Sequence, residues 1–287
     1  MIGRIVAYLE RTTLLDSPPS HIRALAEEAF RTEHPPLRAF ELAERHADRL
    51  LTRLSSIRNT FMEDGVDPWF EFNSANPDYV QGPCYAEPSD PPELREAKGN
   101  RLRCNPMKQV LESLSFADFE TVCAGMLALL GVREPKKTVR SHDQGIDFYG
   151  LLTLGDLSAT EFPFFRLQDH IRVWIVGQAK HYVGGKVSTP EVRNLVGSVS
   201  LARFKEYAST SDLMKDLPLR SCDPVLAVFL TTGMFTRDAS TLARNSGVMA
   251  KHIGDLSKFL ADNKVGLDSA GCVTKAQLLE WAANAVS

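Results

Sequence analysis

The chain has 287 residues, of which 44% are apolar and 24% charged, with a formal net charge of −3. This composition is typical of a folded globular protein of one large domain or two modest ones. It excludes a uniformly basic nucleic-acid-binding protein, so any surface for nucleic acid would be a local patch.

The sequence also argues against a membrane or secreted setting. No apolar run reaches the length of a membrane-spanning helix, and Glu10 and Asp16 interrupt the N-terminal segment, unlike a secretory signal. The five cysteines are scattered and form no C-x-x-C pair, which disfavours a disulfide framework or a zinc site. We therefore expect a cytoplasmic protein without membrane association.

The N-terminal third has the hydrophobic period of helices. Shorter patterns predict helices at about 3–14 and 20–32, and a longer one begins at Leu37 and ends before Gly65. The long pattern predicts one apolar face made of Phe40, Ala43, Ala47, Leu50, Leu51, Leu54, Ile57 and Phe61. This face needs a partner, either elsewhere in the chain or in a second subunit.

Prolines and aromatic residues mark the segment 64–108, which predicts an irregular connector packed against a folded unit. We place a domain boundary near residue 105. Region 1–105 is then a helical N-terminal region with a Pro-rich connector, assigned to regulation, oligomerisation or partner binding. Region 106–287 is a second domain.

The second domain alternates helices and strands, which indicates an α/β fold. A helical pattern covers 107–131, with Ser115 as the N-cap of its second half. The later elements are predicted strands at 145–153, 171–178 and 224–232, and predicted helices at 189–207 and 237–246. The apolar run from Val225 to Leu230 predicts a central strand buried on both faces.

Polar side chains gather at two strand ends of this domain. The stretch WIVGQAKHY, 174–182, ends a predicted strand with Gln178 and Lys180, which alternate onto one face. Asp147 follows Gly145, which can supply a special backbone angle, and it is predicted to face away from Ile146 and Phe148. If the two strands are antiparallel neighbours, Asp147 lies near both Gln178 and Lys180.

These residue types suit phosphodiester hydrolysis. Carboxylate and amide oxygens are ligands for Mg²⁺, and a lysine can orient a water or offset charge at the phosphorus. Glu120, on the preceding predicted helix, is the natural third oxygen ligand, with Asp118 as its competitor. The predicted metal ligands are therefore Asp147, Gln178 and Glu120, for Mg²⁺ with Mn²⁺ as a substitute.

The order of these motifs resembles the Mrr-type restriction endonuclease domain of the PD-(D/E)xK nuclease superfamily. The resemblance rests on F-E at 119–120, G-I-D at 145–147, Q-A-K at 178–180, PEVRNLVG at 190–197 and TTGMF at 231–235, and it covers about 113–262. It implies a mixed central sheet flanked by helices, with Asp147 as the main metal ligand, Gln178 in place of the usual second acid, and Lys180 as the catalytic lysine. The stretch between Asp147 and Gln178 looks long for the family.

The resemblance implies a Mg²⁺-dependent deoxyribonuclease of restriction type, acting on double-stranded DNA in restriction or antiphage defence. Activation by a defence-system partner or by homo-oligomerisation fits the helical region 1–105. The alternative is a non-catalytic nucleic-acid-binding or assembly module that kept the fold. Candidate nucleic-acid contacts are Lys186, Arg193, Tyr182 and His142. Surface charge accounts equally well for Lys186 and Arg193, whereas packing is the favoured account of Tyr182 and a surface hydrogen bond that of His142.

Overall fold

The computed structural model describes residues 1–63, 68–132, 134–138, 145–153, 172–204, 217, 219–220 and 222–286. The contacts between Cα atoms divide the chain into two compact units, Met1–Leu102 and Arg103–Ser287. No helix in the described ranges is both long enough and apolar enough to cross a membrane.

The first unit is mainly helical. Its helices are α1 (Ile2–Thr12), α2 (Ile22–Arg31), α3 (Pro36–Glu63) and α4 (Pro92–Arg101). A small antiparallel sheet of order β1-β3-β2 accompanies them, made of β1 (Ser20–His21), β2 (Glu71–Phe72) and β3 (Tyr79–Gln81). The three predicted N-terminal helices are thus confirmed as α1, α2 and α3.

The apolar face of α3 packs inside this unit, against α1 and α2. Its buried stripe runs through Ala39, Ala43, Leu50 and Leu54. The prediction that Phe40 belongs to this face is wrong, because the stripe begins one residue earlier and leaves Phe40 51% exposed. A shift of one residue rotates a helical side chain by about 100° away from the core.

The segment 64–108 packs against the core of the first unit through Phe70 and Val80, as predicted, but it is not irregular throughout, since it contributes β2, β3 and α4. Buried polar residues hold it together. The Glu87 carboxylate, 6% exposed, accepts hydrogen bonds from the Ser74 hydroxyl and the Gln81 amide, and Lys98 pairs with Asp90 at 2.9 Å. Hydrogen bonds of this kind let a Pro-rich segment fold without a long hydrophobic period.

The second unit is built on a mixed five-stranded sheet of order β10-β8-β6-β5-β4. Its strands are β4 (Lys136–Lys137), β5 (Phe148–Thr153), β6 (Arg172–Lys180), β8 (Val225–Thr231) and β10 (Met249–Lys251). β6, β8 and β10 run parallel, and β5 runs antiparallel to β6 and to β4. A separate parallel pair joins β7 (Lys186–Val187) to β9 (Met234–Phe235).

Helices cover both faces of this sheet. They are α5 (Cys104–Glu112), α6 (Phe116–Leu129), α7 (Thr189–Phe204), α8 (Arg237–Asn245), α9 (Ile253–Asp262) and α10 (Lys275–Ala285). Ile175 and Ala179 of β6 pack in the core with α5, α6, α9 and α10, while Trp174 and Val176 pack on the opposite face with α7. The predicted strands and helices of this unit are confirmed to within a few residues.

The sequence pattern over 107–131 splits into two helices where Ser115 lies. The Ser115 hydroxyl accepts a hydrogen bond from the Asp118 N–H at 3.2 Å, which confirms it as the N-cap of α6.

The prediction of burial on both faces holds only for the second half of β8. Leu226 is 44% exposed, whereas Val228, Phe229 and Leu230 are all buried.

The pairing of β5 with β6 depends on a missing side chain at Gly177. Gly177 lies opposite Phe148, and a Cβ at this position would lie 2.1 Å from the Phe148 ring. Phe148 is completely buried, so its ring has no free volume into which to move. The register of the two strands therefore requires glycine at position 177.

We expect Gly177→Ala to destabilise the second unit by about 1–3 kcal/mol, the usual cost of overpacking a filled core. Gly197→Ala is the matched control, because a Cβ there meets no atom within 4 Å and lies on the helix α7. That control should be neutral or stabilising by up to about 1 kcal/mol. Urea denaturation of both variants checks this, and equal midpoints would contradict the packing argument.

Candidate active site

The ends of β5 and β6 bring Asp147 next to the backbone of the segment that carries Gln178 and Lys180. The strands are antiparallel neighbours, as predicted, with Phe148 opposite Gly177. Asp147 directly precedes β5, and Gln178 and Lys180 are among the last residues of β6. Gly145 adopts a φ of 84°, which confirms its predicted special backbone angle.

Side-chain alternation breaks at Asp147. Ile146 packs in the core with Trp174 and Val176, whereas Phe148 packs on the other face of the sheet. The prediction that Ile146 and Phe148 share a face is therefore wrong. The physical reason is an irregular pairing: the Asp147 N–H donates to the Gly177 carbonyl at 2.8 Å, although the neighbouring register would place Asp147 opposite Gln178.

The Asp147 carboxylate is buried and anchored on β6. Its side chain is 4% exposed, and Oδ2 accepts a hydrogen bond from the Ala179 N–H at 2.7 Å. Because β6 continues past the first residue of β5, this N–H lies beyond the regular ladder of the two strands. The carboxylate thus takes the place of a strand partner, and it is fixed beside the peptide that joins Gln178 to Ala179.

Glu120 reaches the same region from α6. The Glu120 side chain is 4% exposed. Burial raises the pKa of the nearby Cys123 thiol, and the negative charges of Asp147 and Glu120 raise that pKa further. Both carboxylates therefore lie within electrostatic reach of one buried thiol. Asp118, the competitor for this role, is only half-buried and lies in the first turn of α6. Burial thus favours Glu120 over Asp118.

Gln178 offers an acceptor that protein groups leave unused. The side chain is 6% exposed, and among the described residues no donor forms a hydrogen bond with its Oε1. An unpaired buried amide oxygen is costly unless a further group satisfies it. A hard cation such as Mg²⁺ would do so, and the residues Asp147, Gln178 and Glu120 fit that cation by chemistry.

The predicted Mg²⁺ ligands combine one amide, Gln178, with two carboxylates, Asp147 and Glu120. In the described part of the chain, no three His, Cys, Asp or Glu side chains gather as a metal-binding group. With two carboxylates and one amide, the predicted ligand set would have to draw further oxygens from water and substrate, as Mg²⁺ sites usually do.

Lys180 shares a face of β6 with Gln178 by strand alternation, and this face is covered by α7. The side chain is half-buried. The positive charge of Lys180 acts on Glu191, at the start of α7. Burial raises the pKa of Glu191, but hydrogen bonds from Ser188 and Tyr182, together with the charge of Lys180, lower that pKa below its usual range.

Glu191 is a residue of the site region that the sequence reading did not single out. Its Oε2 accepts hydrogen bonds from the Ser188 N–H at 2.6 Å and from the Ser188 hydroxyl at 2.9 Å. The signal was present in the sequence, because Ser188 and Glu191 have the S-x-x-E spacing of a helix capping box. The tertiary contacts with Tyr182 and Lys180 had no local signal.

The candidate nucleic-acid contacts differ in their surroundings. Lys186 and Arg193 are exposed, on β7 and α7. Tyr182 is half-buried, and its hydroxyl hydrogen-bonds Glu191, an interaction that raises the pKa of the tyrosine together with burial. His142 lies outside the described residues.

His181, which flanks the site in sequence, is a packing residue. Its Nε2 lies 3.1 Å from the Leu111 carbonyl, and its ring meets Phe119 edge to face at 5.4 Å between centroids.

A comparison with protein-family models finds a match within the second unit. Residues 111–212 match the family model Mrr_cat, described as restriction endonuclease. This match and the mixed sheet between helices confirm the predicted resemblance and its restriction-endonuclease-like core, over a segment that contains Glu120, Asp147, Gln178 and Lys180. A search of curated proteins finds no match.

Two solved structures are similar to the chain at a low level. MspJI restriction endonuclease in complex with a 27-mer oligonucleotide is 18% identical, with a TM-score of 0.39, over 70% of this chain and 39% of that one. The DNA modification-dependent restriction endonuclease AspBHI is 19% identical, with a TM-score of 0.39, over 74% of this chain and 46% of that one. The chain therefore covers less than half the length of either protein.

We expect Glu191→Gln to lower the free energy of unfolding at pH 7 by about 1 kcal/mol, the size of a charge-assisted helix cap. The folded pKa of Glu191 is lowered, so its stabilisation is present above the unfolded carboxyl pKa and disappears as pH falls through the folded pKa. Urea denaturation at pH 7 and in acid should show the difference from wild type shrinking in acid. Glu134→Gln, at an exposed carboxylate, is the control; a difference independent of pH would contradict the assignment.

Proposed function

We propose that the protein is a metal-dependent endonuclease that hydrolyses phosphodiester bonds of double-stranded DNA. The observation that carries this proposal is the buried Asp147 carboxylate, hydrogen-bonded to the Ala179 N–H between Gln178 and Lys180. The match of residues 111–212 to a restriction endonuclease model supports the same reaction class.

In this proposal Asp147, Gln178 and Glu120 hold Mg²⁺. When bound, the ion supplies Lewis-acid stabilisation of the negative charge that develops on the phosphate during hydrolysis. The Ala179 N–H keeps the Asp147 carboxylate in one orientation, so this ligand needs little rearrangement when the site is loaded. A cation bound by these residues would offset the negative charge of the buried carboxylates of Asp147 and Glu120.

Lys180 has a separate task. Its ammonium group is a positive charge on a half-buried side chain at the end of β6, on the same strand face as Gln178. We assign it to orienting the attacking water through hydrogen bonds and to offsetting charge on the non-bridging phosphate oxygens. Exposed Lys186 and Arg193 are assigned to phosphate contacts along the duplex, which would make binding salt-dependent.

The wider setting belongs to the same proposal. A restriction-like enzyme acting in the cytoplasm, in restriction or antiphage defence, suits a nuclease domain joined to a separate helical unit. Two active sites would allow both DNA strands to be cut in one binding event, so we propose that the protein acts as a homo-oligomer or with a defence-system partner. The first unit would provide that assembly or regulatory surface.

The test is cleavage of a plasmid with Mg²⁺ by the wild type and by Asp147→Ala and Lys180→Ala. We expect each substitution to reduce the rate at least about 100-fold, because each removes a group that acts in the transition state. Asp262→Ala and Lys251→Ala remove the same charges at exposed positions of the same unit and should cleave as the wild type does.

Two outcomes would sink the proposal. Equal rates for Asp147→Ala, Lys180→Ala and the controls would reject the site. A gel shift of DNA without cleavage under any divalent cation, unchanged by Asp147→Asn, would instead favour the non-catalytic binding module. An RNA of equal length in a parallel reaction determines whether DNA is the substrate.

The metal assignment makes its own prediction. Removal of divalent cations with EDTA should stop cleavage, and Mg²⁺ or Mn²⁺ should restore it. Gln178→Ala should weaken Mn²⁺ binding, measured directly by calorimetry, because it removes a buried oxygen ligand. Gln277→Ala, an exposed amide on α10, is the control; unchanged binding in Gln178→Ala would remove this residue from the ligand set.

A further inference from the structure

The backbone that carries Lys180 is held by a pair of buried threonines at the end of β8. Thr231 is 0% exposed and Thr232 is 2% exposed. Thr231 lies directly opposite Lys180 in the parallel pairing of β6 and β8. These residues are polar, they occupy a core position, and the reaction described above assigns them no part.

Both threonines act on the same short stretch of chain. The Lys180 carbonyl accepts hydrogen bonds from the Thr231 hydroxyl at 2.8 Å and from the Thr232 N–H at 3.1 Å. The Thr232 hydroxyl in turn accepts from the Tyr182 N–H at 2.8 Å, and the Thr231 hydroxyl accepts from the Gly233 N–H at 2.9 Å. The two threonines therefore hold the backbone by hydrogen bonds at Lys180 and at Tyr182.

The next residue, Gly233, packs closely against the backbone of Tyr182 and Gly185. A Cβ at Gly233 would lie 2.6 Å from the Gly185 carbonyl oxygen and 2.9 Å from that of Tyr182. The Met234 N–H donates to the Gly185 carbonyl at 3.1 Å. Residues 231–234 are thus fitted closely against the chain that leaves Lys180, with little room for relative movement.

These hydrogen bonds matter because, among the residues that the structure describes, the pairing of β6 with β5 ends at Gly177 and Phe148. Beyond that pair the Asp147 side chain accepts from the Ala179 N–H, and the described hydrogen bonds to the Lys180 carbonyl come from β8 and the residue after it. A lysine side chain has four rotatable bonds, so the position of its ammonium group depends on a fixed backbone.

We propose that Thr231 and Thr232 are positioning residues for Lys180, a feature we call the threonine clamp. The inference rests on the proposed function, because Lys180 is the catalytic lysine only in that proposal. The clamp touches neither the phosphate nor the metal ligands' side chains. It acts by fixing the peptide from which the ammonium group reaches the reacting phosphate.

The test compares hydroxyl removal with hydroxyl retention. Thr231→Val keeps the shape of the side chain but removes the hydroxyl that bonds the Lys180 carbonyl, and Thr231→Ser keeps that hydroxyl. We expect kcat for plasmid cleavage to fall about 10- to 100-fold in Thr231→Val, the effect of a small misplacement of a catalytic group. DNA affinity, measured by fluorescence anisotropy with Ca²⁺ in place of Mg²⁺, should stay within about twofold, since the clamp touches no phosphate.

A matched control separates positioning from stability. Thr274 caps α10 by accepting from the Gln277 N–H at 3.3 Å, and Thr274→Val removes a structural hydroxyl elsewhere in the same unit. This variant should lose thermal stability but keep kcat. Thr231→Ser should recover kcat to within about threefold of wild type, since the bond to the carbonyl is retained. Thr232→Val and Thr232→Ser repeat the comparison at the second contact, which covers the case in which Thr231→Val fails to fold.

The clamp is overturned if the valine variants that fold keep the kcat of Thr274→Val, or if the serine variants are as slow as the valine variants. A loss that appears only in DNA affinity would also reject it. If the wild type does not cleave DNA at all, the proposed function is rejected, and the threonine clamp, which depends on it, is rejected as well. Cleavage by wild type and Thr274→Val, without a specific loss in the valine variants, rejects the clamp alone.

Discussion

The hydrogen bond from the Ala179 N–H to the Asp147 carboxylate is the constraint on which the candidate site depends. It exists because β6 outruns β5, so that one backbone donor lacks a strand partner and a buried side chain replaces it. The same bond holds the Asp147 carboxylate beside the peptide between Gln178 and Ala179. In the proposed function this one carboxylate both satisfies a backbone donor and serves as a ligand, so a change at Asp147 would affect the fold and the chemistry together.

The elements around this bond contribute buried polar side chains, Glu120 from α6 and Gln178 from β6, to a largely apolar core. Among the described residues no donor bonds Oε1 of Gln178, and the buried carboxylate of Glu120 lies within electrostatic reach of Cys123, as Asp147 does. On the other side of β6, Glu191 and the threonine clamp restrain the chain near Lys180 through hydrogen bonds rather than apolar contacts.

The first unit shows a different balance. Its helices bury a continuous apolar stripe, yet the Pro-rich segment that completes it is held by Glu87, Gln81 and the Lys98–Asp90 pair. Breaking either partner of such a buried group would leave the other without compensation. Exposed Phe40 and Leu37 lie on the outer side of α3, at 51% and 75% exposure, away from that stripe.

Local sequence predicted the N-terminal helices α1 to α3, the main strands and helices of the second unit, and the candidate site residues Asp147, Gln178 and Lys180. Helical and strand periods, the Ser115 cap and the Q-A-K strand end are decided by neighbours a few positions apart, so the sequence predicts them. Only the tertiary structure decided the break at Asp147, the partner of Ala179, the contacts of Glu191 and the grip of Thr231 and Thr232 on Lys180. The partner of Ala179 and the threonine clamp depend on where two strands end and on hydrogen bonds between residues about 30 to 50 positions apart. The contacts of Glu191 join residues closer in sequence, and they depend on how the chain folds back between β6 and α7. No local period records either kind of contact.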